Sequence, residues 1–120
     1  MTAPQWAQEL LLNAVLHLHE TGHAVELPTL TWKHRSADCS TGTYYAGENK
    51  IIVRAGKERL DATLVMLHET AHLISARHDS KFWDAAWQLY RWAKLPVRIC
   101  QEREYKYRAG AAIAYRRNRK

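Results

Sequence analysis

Apolar residues recur at helical spacing near the start of the chain, where Ala7, Leu10, Leu11, Ala14, Val15 and Leu18 fall on one face of a predicted first helix. Thr2, followed by Gln5, is its expected N-cap with a box partner, and Gly22 the expected residue just past its end. The period then shortens. Leu27–His34 alternates around Leu30 and Trp32, a polar stretch over Arg35–Thr43 reads as a loop, and Thr43–Ala46 and Ile51–Arg54 flank a Gly47–Lys50 turn. About three strands are predicted, antiparallel because the links are short. After Gly56 the helical period returns, with Leu60, Leu64, Leu67, Ala71 and Ile74 as the buried stripe. Asp79 or Ser80 is expected to cap a third helix carrying Phe82, Trp83, Trp87, Leu89, Tyr90 and Trp92, which Pro96 stops. A last helix is predicted from about Gln101 to Arg117, with Tyr105, Ala109, Ala112 and Ile113 on one side. The order α, βββ, ααα predicts a single α+β domain over residues 1–120.

Two stretches of this pattern carry the same motif, H-E-x-x-H. Residues four apart on a helix lie one turn above each other, so two imidazoles at that spacing can reach one tetrahedral metal ion. The Glu is rotated by about 100° from the first His, which lets it face a metal-activated water instead of ligating. His68-Glu69-Thr70-Ala71-His72 has helical apolar residues on both sides. His19-Glu20-Thr21-Gly22-His23 has Gly22 inside it and Pro28 soon after, so its helix is expected to end before His23 and the shared geometry with it. The expectation is therefore a Zn2+ site on His68 and His72, with Glu69 as the catalytic base. Two ordinary helix histidines are the plainer alternative, but they leave unexplained a Glu bracketed by both imidazoles on a helix with an apolar stripe.

A catalytic zinc usually has three protein ligands and one open position. His78, six residues after His72 and just before the next helix cap, is the expected third, with Glu102 and Glu104 as alternatives if the last helix packs against the site. Asp79 and Asp84 are candidates for holding a ligand imidazole by its far N–H. Cys39, in the polar loop, offers a further thiolate that would block the metal, against the plainer reading of an ordinary loop cysteine.

Composition narrows the class. Hydrophobic residues make up 47% and there are five tryptophans, which fits a globular domain and excludes a disordered chain. Two distant cysteines form no disulfide framework and imply a reducing compartment. No apolar run approaches a membrane span and no targeting segment is evident, so a soluble, cytoplasmic protein without a membrane partner is expected. Charge is uneven. Arg98–Lys120 holds eight Lys/Arg and two Glu, and the first 97 residues hold ten of each sign. A tail with all the excess positive charge points to DNA or another nucleic acid, through Arg116, Arg117, Arg119 and Lys120, or to a solvated basic helix.

The stretch from His68 to Trp83, His-Glu-Thr-Ala-His-Leu-Ile-Ser-Ala-Arg-His-Asp-Ser-Lys-Phe-Trp, resembles the SprT-like, WLM and YgjP-like zincin metallopeptidases, and most of all the YgjP-like branch. The hairpin Gly42-Thr-Tyr-Tyr…Asn49-Lys-Ile-Ile-Val53 is similar to the one preceding the active-site helix of SprT-like domains. The resemblance covers about Trp32 to Trp92. It implies a small zincin-like fold, His68, His72 and His78 as zinc ligands, Glu69 as general base, and a strand beside the cleft that pairs with an extended peptide substrate. Two departures stand out: Asp79 follows His78 where Gly is common, and two cysteines cannot build the four-cysteine zinc ribbon that many such enzymes carry. The expected activity is zinc-dependent peptide-bond hydrolysis with Tyr44, Tyr45, Tyr105 or Arg91 as the second oxyanion donor. The rival from another class is a nucleic-acid-binding protein with a structural or vestigial zinc site.

Overall fold

In the computed structural model, which describes residues 2–34, 41–55, 58–105 and 109–118, the first helix, α1, spans Gln5–Glu20. Pro4 stands at its N-cap and no side chain caps it; the Gln5 amide instead donates to Glu9, one turn on, at 3.1 Å. Thr2 is therefore not the cap that the sequence suggested. The other end is as expected. Gly22 has φ 95°, its N–H donates to the His19 carbonyl (3.1 Å), and the His23 N–H donates to the Leu18 carbonyl (2.9 Å). These paired bonds form a Schellman turn, which needs a left-handed residue at that point.

Strands β1 (Thr29–His34), β2 (Gly42–Tyr45) and β3 (Lys50–Ala55) form one sheet in the order β1-β3-β2, with a short 3-10 turn over Ala46–Glu48. The pair β2–β3 is antiparallel, as predicted, but β1 runs parallel to β3, with Leu30 opposite Ile51 and Trp32 opposite Val53. The expectation of an all-antiparallel sheet is thus corrected to a mixed one. Direction alternates along the chain, so a central β3 has partners that run opposite ways. Link length predicts the reversals but not which strand takes the centre.

Four more helices follow: α2 (Arg59–Ala71), α3 (Ser80–Trp92), α4 (Val97–Tyr105) and α5 (Ala109–Asn118). Where a single last helix was expected, the described residues form two, α4 and α5. Pro96 does not stop α3. Lys94 does so, with φ 59° and the Leu95 N–H returning to the Tyr90 carbonyl at 3.0 Å, a second Schellman turn. Pro96 instead opens α4, its carbonyl accepting from the Cys100 N–H at 3.2 Å.

Helix α2 is the spine. Ala62, Val65 and Met66 pack with Trp32, Ile51 and Val53 of the sheet and with Ala7, Leu11 and Val15 of α1. Leu64, Leu67 and Ala71 pack the other way, against Phe82, Trp83, Trp87 and Tyr90 of α3 and Ala111 and Ala114 of α5. A helix buried on two faces shows more than one stripe, so the periodic reading caught Leu64, Leu67 and Ala71 but missed Val65 and Met66. The Trp87 indole N–H donates to the Ala111 carbonyl at 2.9 Å and ties α5 to α3 inside the core. No described helix is long and apolar enough to cross a membrane.

Candidate metal centre

The second H-E-x-x-H copy lies at the end of α2. The helix stops at Ala71, and the His72, Leu73 and Ile74 N–H groups donate to carbonyls three residues back, at 3.1, 3.0 and 3.0 Å. This tightening ends the helix earlier than its apolar stripe implied. His72 nevertheless keeps a right-handed conformation (φ −66°, ψ −12°), so it remains one turn beyond His68. The link to α3 folds back and brings in His78. The three imidazoles each offer one nitrogen, and these nitrogens all lie within 4.8 Å of one another. They are the group that could hold a metal ion among the described residues.

Their tautomers follow from their neighbours. His68 Nδ1 lies 3.2 Å from Glu104 Oε2, and His72 Nδ1 lies 3.0 Å from the Ser75 carbonyl oxygen. A carboxylate oxygen and a carbonyl oxygen are acceptors, so these contacts match the tautomer with the proton on Nδ1 and the lone pair on Nε2. His68 Nε2 and His78 Nε2 are 3.2 Å apart. Two ligand nitrogens on one tetrahedral zinc, at ~2.0–2.1 Å each, stand roughly 3.3 Å apart. The donor set and spacing therefore fit a divalent transition ion, with imidazole accepting zinc among others.

The rings rest on a common floor. Phe82, fully buried, has its ring centroid 4.9, 4.3 and 4.8 Å from those of His68, His72 and His78. The Trp83 indole N–H donates to the His78 carbonyl at 3.1 Å and fixes that link. Gly110 permits this arrangement, because a Cβ there would stand 3.0 Å from Trp83 Nε1. Asp79 caps α3, accepting from the Phe82 N–H at 3.0 Å, and also accepts from the Ser75 hydroxyl at 2.9 Å. Those two bonds, the Phe82 one foremost, hold its carboxyl below the usual range. Asp79 thus reaches His72 only through Ser75. Asp84 pairs with Arg117 of α5.

Glu69 is buried at 7% exposure. Burial pushes its carboxyl up; His68 and the Tyr44 backbone N–H, which donates to it, act against this, while Glu104 adds to it. A raised carboxyl is what a base working near neutrality requires. The Tyr44 N–H belongs to β2, an outer strand of the sheet, so that strand runs beside Glu69. Gly42 makes the approach feasible: a Cβ there would lie 2.5 Å from Val65 Cγ1 and 3.2 Å from Glu69 Cγ.

The other candidates separate. Glu104 faces Nδ1 of His68, not the Nε2 that lies beside His78, so it stands behind a candidate ligand and is not among the three imidazoles. Glu102 is exposed and pairs with Arg98. The His19–His23 copy is broken by the Schellman turn, and His19 Nε2 binds the Val25 carbonyl. The Tyr44 phenol donates to Asn49 at 3.0 Å, and Tyr45 is exposed beneath Lys50. Arg91 lies on α3, nine residues beyond Phe82. Arg116 and Arg117 are exposed on α5, and Arg117 is the partner of Asp84. Cys39, Arg119, Lys120 and the Tyr105 side chain lie outside the described residues.

Sequence reasoning missed Ser75 and the supporting role of Glu104. The first acts through its carbonyl, which no residue type announces, and the second comes from a helix 36 residues away.

Near the centre, burial pushes the Cys100 thiol up to about 12, with the Glu104 charge adding to it. At pH 8 the thiolate fraction alone should slow its reaction with a disulfide reagent by roughly 10³-fold relative to an ordinary thiol. In a Cys39→Ser background the folded protein should therefore react far more slowly than the urea-unfolded chain; equal rates would contradict this burial.

No family model, curated protein or solved structure matches the chain, so the meaning of the centre rests on its own geometry.

Proposed function

We propose that the chain is a zinc-dependent metallopeptidase that hydrolyses peptide bonds in a protein or peptide substrate. One observation carries the reading: His68, His72 and His78 each bring one ring nitrogen to within 4.8 Å of the others, with a buried Glu69 carboxyl near enough to His68 to interact with it electrostatically. The resemblance of His68–Trp83 to SprT-like and related zincins supports it, as does the similar hairpin before α2. Three imidazoles leave a tetrahedral ion one open position, the pattern of catalytic rather than structural sites.

Zinc, when bound, supplies Lewis acidity and lowers the pKa of a coordinated water towards ~7. The protein does the rest. His68 and His72 hold the ion through nitrogens whose protonation Glu104 and Ser75 dictate. Glu69 receives a proton at its carboxylate and returns it to the leaving amine, and burial tunes it for that exchange. The outer strand β2 offers backbone groups to an extended substrate lying alongside.

The test is metal content per chain in wild type and in His72→Ala, His78→Ala and His23→Ala variants. One zinc is expected in wild type and in His23→Ala, and none in the other two. A wild type that takes up no zinc, even when it is added, would sink the reading.

Charge alone favours a second reading, nucleic-acid binding through Arg116, Arg117, Arg119 and Lys120. It is compatible with the first, since a basic segment can recruit an enzyme to an anionic partner. Affinity for duplex DNA that falls steeply with salt and is lost on deleting Tyr115–Lys120 would establish it.

A further inference from the structure

Helix α4 adjoins the metal centre without providing a ligand. Its backbone makes little contact with α2, and two neighbouring side chains bridge the gap. Glu104 accepts from His68 Nδ1 at 3.2 Å, and Arg103 Nη1 donates to Asp61 Oδ1 at 2.9 Å. Asp61 and His68 are seven residues apart on α2, two turns along one face. So α4 grips one side of the central helix twice, once at its start and once at the metal centre.

The two grips differ. The Arg103–Asp61 pair is about one-third exposed on each side, and water screens it. Glu104 is 6% exposed, and a buried carboxylate is costly unless strong donors or positive charge compensate it. It faces the His68 N–H, and the buried Tyr90 hydroxyl and Cys100 thiol lie close enough to interact with it, Tyr90 as a second polar neighbour. A cation at His68 Nε2 draws electron density through the ring. The Nδ1–H then becomes a stronger donor, and positive charge is brought towards Glu104.

We propose that Glu104 is a positioning residue that couples metal occupancy to the docking of α4 on α2. A bound ion tightens the Glu104–His68 bond and locks α4, and a docked α4 raises the affinity for the ion, as reciprocity requires. The metal-loaded protein is then the one with its C-terminal helices held against the centre. This inference rests on His68, His72 and His78 being a metal site.

The experiment measures hydrogen exchange over Val97–Tyr105 with and without zinc. Zinc affinity is measured alongside, by competition with a chromophoric chelator. Both are read on the full chain in wild type, Glu104→Gln and Arg103→Met forms. Zinc should slow exchange across α4 in wild type. Glu104→Gln should bind zinc about 10–100-fold more weakly and show no added α4 protection at saturating zinc. Arg103→Met touches no ligand and leaves Glu104 in place, yet should weaken zinc binding by about threefold or more through looser docking. It also stands in if Glu104→Gln fails to fold. Wild-type affinity in both variants, or α4 exchange in wild type that ignores zinc, overturns the coupling. If the metal-site reading itself is at fault, wild type takes up no zinc at all and both ideas fall together.

Discussion

Glu69→Gln is expected to keep one zinc per chain and to lose peptide-bond hydrolysis by about 10²–10⁴-fold, the range for removal of a positioned general base. The substitution is nearly isosteric. The amide oxygen of Gln can still accept the Tyr44 N–H, and the side chain still fills the space against Gly42 and Val65. What disappears is the group that takes and returns the proton. Burial works against the charged form of Glu69, so a neutral amide there should not destabilise the fold. The loss can then be assigned to chemistry. The measurement pairs the release of new amino groups from casein with zinc content on the same sample. Hydrolysis at the wild-type rate, with zinc in place, would show that Glu69 is not the base.

Removing the metal should have the second large effect, on stability. An ion bound only by the folded chain stabilises it by about 4 kcal/mol when free zinc is a thousand times Kd. For a domain of this size that corresponds to a rise in Tm of roughly 15 °C. Thermal melts with added zinc and with excess chelator should differ by that order in wild type and coincide in His72→Ala. The chelated protein should still melt cooperatively. The two apolar clusters, one between α1, α2 and the sheet and the other between α2, α3 and α5, do not depend on the three imidazoles. Identical melts of wild type with and without zinc would mean that the ion does not bind the folded state.

Local chemistry was legible in the sequence wherever a single element decides it. The apolar period located α1 and α3. Gly22 marked the end of α1 because a left-handed residue is cheap only there, and the same turn disqualified His19 and His23 as a pair. The four-residue spacing placed His68 and His72 on one side of α2, and the short link made His78 reachable. Tertiary structure decided what depends on distant partners. With β3 in the centre the sheet became mixed, since strand order is set by packing and not by link length. Burial of α2 on two faces hid half of its core positions from a one-stripe reading. The proton positions on His68 and His72 come from a carboxylate on α4 and a carbonyl in the following link. An imidazole becomes a ligand through one nitrogen only when something holds the proton on the other, and that partner is chosen by the fold.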